Sequence, residues 1–232
     1  MRKDVEEYVR SCEKCQFRSR YQNKEPLQIP PIPTLFAKWG IDIVGPVPRS
    51  MSGFQYMVFA TDYFSGWVCG RRLRYQTAKV VAKFVYEEVI TKHGCPVEIV
   101  SDQGTQFMSE VFMILLKTMS IKHRKSAAYN PQANGRAERT NRIMVDTMSK
   151  LAAEYQKNWE EVFDAAMWAY NTTVIRGHQY SPFYLKYGME ARLPVDFSIK
   201  NRLEVPETME DRLKKLVELQ KARGKVMELL KI

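Results

Sequence analysis

The amino-acid sequence predicts an α/β fold in which helices cover a mixed sheet. Two observations carry that expectation. Between Lys38 and Leu151, short β-branched and aromatic runs bounded by Gly and Pro alternate with stretches at helical spacing. The composition, 45% hydrophobic and 27% charged over 232 residues, is that of a globular chain with one sizeable core and small appendages.

Residues 1–22 read as a short helix with Val5, Tyr8 and Val9 on one side, ending at Cys12-Glu-Lys-Cys15. Residues 23–33 hold Pro26, Pro30, Pro31 and Pro33, which exclude regular helix and mark a linker. A core is expected over 34–192. Its first part, KWGIDIVGPV and FQYMVFATDYFSGWVCGRRL, has strand chemistry, and the turn at Met51, Ser52 and Gly53 predicts an antiparallel hairpin. Residues 77–93 switch to helical spacing with Val81, Phe84, Val85 and Val89 on one face, stopped by Gly94 and Pro96.

VEIVSD is a strand ending at Asp102. The helix after Ser109, SEVFMILLKTM, is apolar enough that most of it is expected to be buried. IKHRKS is a further strand, followed by a glycine-containing loop and a helix that carries Glu138. In NWEEVFDAAMWAYNTT, Trp159, Val162, Phe163, Ala166, Met167 and Tyr170 recur at helical intervals and read as packing residues. Ser181 and Pro182 open a short helix as N-cap and first-turn residue. Residues 193–232 read as a linker and then, from Thr208, a charged helix with Leu213, Leu216, Val217, Val226 and Leu229 apolar and an interruption at Gly224.

The opening MRKDVEEYVR has no apolar signal region and no stretch approaches a membrane span, so a soluble, intracellular protein is expected. Four cysteines, only two of them close together, do not make a disulfide framework. Formal charge is +10, which favours a polyanionic partner. The charge is concentrated: residues 121–142 hold Lys122, Arg124, Lys125, Arg136, Arg139 and Arg142 against one acid, Glu138. A solvated basic face would explain the charge, but its wrapping around a candidate catalytic acid favours nucleic acid.

Three carboxylates carry the chemistry: Asp42 in WGIDIVGP, Asp102 in EIVSDQGTQF and Glu138 in NPQANGRAERTNR, with 35 residues between the last two. Acidic side chains gathered from separate elements repel, and a fold that gathers three is stabilised by cations, most often a pair of divalent metals. Asp42 lies mid-strand, where a buried, unpaired charge would be costly. Asp102 ends a strand before Gln103-Gly104, where a turn-forming Asp is the competing explanation. Glu138 borders a helix face made of Ala137, Met144, Met148 and Leu151, with Arg139 and Arg142 directed toward solvent and phosphate. A surface pair between Glu138 and Arg142 would be worth only about 0.3 to 0.5 kcal/mol.

These words, in order GIDIVGP, DYFSGW, HGCPVEIVSDQGTQF, AYNPQANGRAERTNR and YNTTVIRGHQYSPFYLKYG, resemble the integrase core of gypsy-type LTR retrotransposons and retroviruses over nearly the whole chain. The resemblance implies a ribonuclease H-like fold and a two-metal polynucleotidyl transferase that trims element DNA ends with water and joins the 3′ hydroxyls to target DNA. It implies that Asp42, Asp102 and Glu138 are catalytic and bind two Mg²⁺ or Mn²⁺ ions, with Asp62 left as a structural or supporting residue. DNA contacts are expected from Lys122, Arg124, Lys125, Arg136, Arg139 and Arg142, and from Gln132 and Asn134 in the polar loop. Homo-oligomers on DNA and a nuclear location are expected with them.

In the family two histidines lie upstream of a Cys-x-x-Cys pair and complete a zinc site. Here the histidines, His93, His123 and His178, all lie far downstream, so Cys12 and Cys15 are expected to be half of a zinc site in a truncated module. The final helix is expected to connect toward a C-terminal DNA-binding module. Asn130 stands where a histidine is usual, and an amide cannot carry an imidazolium's charge, so weaker DNA binding or catalysis is expected. Two other readings stay open: a domesticated or decayed integrase that binds nucleic acid or protein without catalysis, and a ribonuclease acting on RNA/DNA hybrids, which would share the fold but not the YNPQANGRAERTNR word.

Overall fold

The computed structural model describes residues 5, 7–8, 11–12, 34–126, 135–193 and 209–230. The chain divides into two compact units, Met1–Pro30 and Pro31–Ile232. In the first, Val5, Glu7, Tyr8 and Ser11 are helical and exposed, and the Cys12 N–H donates to the Tyr8 carbonyl at 3.0 Å. Cys15 lies outside the described residues.

The second unit is built on five strands: β1 (Lys38–Val44), β2 (Tyr56–Asp62), β3 (Val68–Leu73), β4 (Glu98–Ser101) and β5 (Lys122–Lys125). Their order is β3-β2-β1-β4-β5, antiparallel from β3 to β1 and parallel from β1 to β5. The helices are α1 (Ala78–Phe84), α2 (Thr105–Met108), α3 (Glu110–Thr118), α4 (Gly135–Tyr155), α5 (Trp159–Thr172), α6 (Pro182–Tyr187) and α7 (Met209–Leu229). After α1 the chain continues helically through a wider π turn at Val85–Ile90 and a last turn at Thr91–His93. This is the expected ribonuclease H-like mixed sheet flanked by helices, with a C-terminal helix.

Strand alternation sorts the side chains onto two faces. Trp39 and Ile41 of β1, with Val58 and Ala60 of β2, face Val81, Phe84, Val85 and Val89 of the α1 region together with Phe112 and Leu116 of α3. Met57 and Phe59 face the other way, onto Met144 and Met148 of α4 and Val162, Phe163 and Ala166 of α5. Gly40 and Asp42 alternate with Trp39 and Ile41, so they belong to this second face. A third cluster, Phe64, Leu185, Ala222 and Val226, joins the turn after β2 to α6 and α7.

Several helix ends follow their local chemistry. Ser181 Oγ accepts the Tyr184 N–H at 2.9 Å with Pro182 in the first turn, and Gly188, at φ 76°, closes α6 in the left-handed region. Ser109 caps α3 in the same way through the Phe112 N–H.

Two expectations are corrected. Helix α3 is not largely buried: only Phe112 and Leu116 are, while Val111 and Ile114 are about half exposed at 51% and 54%. One row of a short edge helix reaches the sheet, and high apolar content does not by itself supply a second neighbour. Helix α7 runs without a break through Gly224 and buries Leu219, Ala222 and Val226 rather than Leu213, Leu216, Val217 and Leu229, which are exposed. A single mid-helix Gly costs about 1 kcal/mol, which packing of the neighbouring turns offsets.

Candidate active site

Strand register brings two of the predicted carboxylates side by side. β1 and β4 run parallel, and the last paired residues are Gly40 and Val100. Asp42 and Asp102 each lie two residues further on, where the two strands part. The carboxyl ends of neighbouring parallel strands are where an open α/β sheet offers a crevice.

Asp42 is partly buried, and both of its oxygens are held. Oδ1 accepts the Ile43 N–H at 2.8 Å and Oδ2 accepts the Asn141 Nδ2–H at 2.9 Å. Burial raises its pKa from 3.8 to about 6, the two hydrogen bonds oppose that, and the charges of Asp102 and Glu138 add to it. The charges of acids from the end of β4 and the first turn of α4 therefore reach Asp42 of β1.

Asp102 is exposed; its Oδ1 accepts the Gly104 N–H at 3.0 Å, so the turn geometry anticipated for Asp-Gln-Gly is present. Beneath it, fully buried Ser101 donates from Oγ to the Asp102 carbonyl at 2.8 Å and lies 2.8 Å from His123 Nε2. Glu138 is exposed on the first turn of α4, while Ala137, Met144 and Met148 are buried as expected and Leu151 packs against the same cluster.

Small residues set how closely α4 approaches β1. A Cβ at Gly40 would stand 2.7 Å from the Tyr63 ring and 3.0 Å from the Ala137 methyl group. No side chain larger than hydrogen fits there without moving α4 or Tyr63.

Asp62 takes no part in the carboxylate group. It is fully buried, with Oδ1 accepting the Phe36 N–H at 3.0 Å and Oδ2 accepting the Ser65 N–H and Oγ–H at 2.8 and 2.7 Å. Burial raises its pKa, and these bonds and the Arg136 charge oppose the rise.

Of the predicted basic residues, Lys122, Arg124 and Lys125 are exposed on edge strand β5, with Arg124 3.9 Å from Glu98, and Arg139 and Arg142 are exposed on α4. Arg136 turns inward and donates from a terminal guanidinium nitrogen to the Tyr63 carbonyl. Gln132, Asn134 and Asn130 lie outside the described residues. The residue that sequence reading missed is Asn141, which is 5% exposed and bonded to Asp42.

The donor set fits a divalent cation in charge and chemistry. The charges of Asp102 and Glu138 reach the partly buried Asp42, and Asn141 Oδ1, beside Asp42, is a buried acceptor without a hydrogen-bond partner among the described residues. Among the described residues no three acidic, His or Cys side chains already stand close enough to hold one ion. Asp102 and Glu138, both exposed, have the rotamer freedom to turn inward.

Comparison with known proteins bears on the family and the fold. Residues 35–131 match the integrase core domain family. The chain carries an integrase core of the retroviral and LTR-retrotransposon kind. Over 151 residues, 65% of the chain, it is 35% identical to the Pol polyprotein of feline endogenous virus ECE1. Over 213 residues, 91% of the chain, it is 27% identical to the retrovirus-related Pol polyprotein from transposon 412 of Drosophila melanogaster. The chain spans 14% and 17% of those two polyproteins.

Among solved structures, the integrase core superposes on a chain of a simian T-cell lymphotropic virus intasome in complex with PP2A regulatory subunit B56 gamma. The TM-score is 0.65 at 22% identity, over 84% of this chain and 69% of that one. It also superposes on the HTLV-2 integrase catalytic core domain in complex with magnesium, with a TM-score of 0.51 at 21% identity over 63% and 93% of the two chains. Both likenesses concern the fold. No helix among the described residues is long and apolar enough to cross a membrane.

Proposed function

We propose that this integrase core is a metal-dependent polynucleotidyl transferase that processes the 3′ ends of element DNA and joins them to target DNA. The observation that carries the proposal is the strand register that sets Asp42 and Asp102 each two residues beyond the Gly40 and Val100 pair of parallel β1 and β4; at Asp42 the charges of Asp102 and Glu138 add to a pKa that burial raises to about 6. The magnesium in the HTLV-2 core and the intasome assembly of the simian virus protein support extending divalent-metal chemistry, DNA and self-association to this chain.

Asp42, Asp102 and Glu138 would hold two Mg²⁺ ions. When bound, such a pair supplies charge stabilisation for the attacking and leaving oxygens of an in-line displacement at phosphorus. The chain's own residues do the rest. Asn141 and the Ile43 N–H fix the Asp42 carboxylate in one orientation, and the cradle of Gly40 and Ala137 keeps α4, and with it Glu138, close to β1. Lys122, Arg124, Lys125, Arg139 and Arg142 offer exposed cations to phosphate backbones, which suits an enzyme that accepts many target sequences. The nucleus is the compartment where such joining would occur.

A strand-transfer assay on labelled duplex ends, with and without Mg²⁺, tests the proposal. Metal-dependent joining supports it. An integrase-derived binder without chemistry would retain DNA affinity and join nothing.

A further inference from the structure

We propose that Arg136 is a positioning residue for Glu138 and not a phosphate contact: its inward guanidinium pins the first turn of α4 to the turn after β2. The inference rests on the catalytic reading of Glu138.

Four segments meet at this side chain. A terminal nitrogen donates to the Tyr63 carbonyl, directly after β2. A second lies at contact distance from the same turn, 3.7 Å from where a Cβ at Gly66 would stand. The Tyr170 hydroxyl, near the end of α5, lies on the same spot, 3.9 Å from that position, and is also 3.4 Å from Thr140 Oγ1 of α4. From the loop joined by the Ile175 and Tyr180 bridge comes His178, 8% exposed, whose pKa burial and then the Arg136 charge push down to about 4. It is therefore neutral near pH 7 and does not compete with Arg136 as a cation.

The compensating charge is Asp62. Its oxygens are already bonded to Phe36 and Ser65, so it acts on Arg136 through its charge rather than by a direct pair. A guanidinium tucked against a carbonyl in partly dry surroundings is held by that bond and by the Asp62 charge. Two residues further along the same helical turn stands Glu138. Rotation of this turn would move the Glu138 carboxylate without disturbing Asp42, which is tethered separately by Ile43 and Asn141. The tether also explains why a basic residue two places before a catalytic acid does not bring a free positive charge next to the metals.

Arg136→Gln, Arg136→Lys and Arg139→Gln in the full chain separate this role from phosphate binding. Amide hydrogen exchange over 135–142 is read without DNA or metal, duplex affinity across a NaCl series, and strand transfer across a Mg²⁺ series. Arg136→Gln is expected to speed exchange of the amides at 139–142, which bond to the first-turn carbonyls of α4, about tenfold, the loss of one charge-assisted bond. It should leave the salt slope unchanged, and raise the Mg²⁺ needed for half-maximal joining without changing the KM for DNA. Arg136→Lys, which keeps the charge and a donor, should restore part of the protection. Arg139→Gln should lower the salt slope by about one and leave exchange unchanged. A fall of about one in the salt slope of Arg136→Gln, with protection at 139–142 intact, would overturn the proposal. If the wild-type chain joined nothing, the catalytic reading would fail, while exchange and salt slope would still decide whether Arg136 anchors α4.

Discussion

Asn141 Nδ2 donates to Asp42 Oδ2 at 2.9 Å, tying the middle of the first two turns of α4 to the strand that carries the innermost acid. The bond lowers the Asp42 pKa against the larger effect of burial. Asn141→Ala removes it. The acid limb of the activity–pH profile is then expected to move upward by about one unit, since a hydrogen bond to a charged group is worth about 1.5 to 3 kcal/mol. Duplex affinity should not change. A profile that keeps its position in the variant would show that Asn141 does not tune Asp42.

The raised pKa of Asp42 has a stability consequence whose sign is fixed. Folded and unfolded states differ because the carboxyl holds its proton to about pH 6 in the fold against 3.8 ordinarily. This group's contribution to stability is fully present below pH 3.8 and lost as pH rises through about 6. Asp42→Asn should therefore be more stable than the wild type at pH 7 to 8 without divalent cations, by about 1 to 3 kcal/mol, and no more stable below about pH 4. Mg²⁺ should narrow the gap by stabilising only the wild type. Thermal melts at both pH values check this.

Gly40→Ala places a methyl group where the Tyr63 ring and Ala137 now stand at 2.7 and 3.0 Å. Overpacking of this kind costs about 1 to 3 kcal/mol, and a chain of this size loses about 2 to 4 °C of Tm per kcal/mol. Because the displaced element carries Glu138, joining activity should fall further than the melting temperature explains. A variant with normal activity would show that the approach of α4 to β1 is not tightly set.

The exposed cations of β5 and α4 are expected to act on phosphate rather than on base edges. Lys125→Ala or Arg139→Ala should weaken binding to two unrelated duplexes equally and reduce the salt slope by roughly one per lost contact. Binding across a salt series on both duplexes measures it. An effect confined to one duplex, with the slope intact, would indicate base readout.

Much of this arrangement was legible in residue order. Alternation in WGIDIVGP places Asp42 opposite Trp39 and Ile41, and the run VEIVSD ends at an acid before Gln-Gly, so one carboxylate within a strand and one at a strand end could be anticipated. Their adjacency could not, because it depends on β4 inserting parallel beside β1 in register with Gly40, a pairing between segments far apart in the chain. Asn141 left a readable trace: the apolar stripe of α4 runs Ala137, Met144, Met148, Leu151, and its gap at Thr140 and Asn141 is filled by buried polar residues that need partners. Arg136 looked like its neighbours Arg139 and Arg142, since charge type does not reveal direction. Arg136 and Arg139, three residues apart, point only about 60° apart around the helix, so periodicity does not single out the one turned onto Tyr63. The exposure of α3 was hidden for a related reason, as composition reports what a helix can bury and not how many neighbours it meets.

The central claim is that the three carboxylates form one catalytic site, and strand transfer by Asp102→Asn tests it most directly. Asp102 is exposed at the end of β4, and the change to an amide keeps the size and the acceptor for the Gly104 N–H, so the fold should be preserved. With matched circular dichroism and melting behaviour, the wild-type chain is predicted to join labelled duplex ends in Mg²⁺ and Asp102→Asn to fall to background, while Asp62→Asn, if folded, retains measurable joining. Wild-type joining by Asp102→Asn would contradict the account.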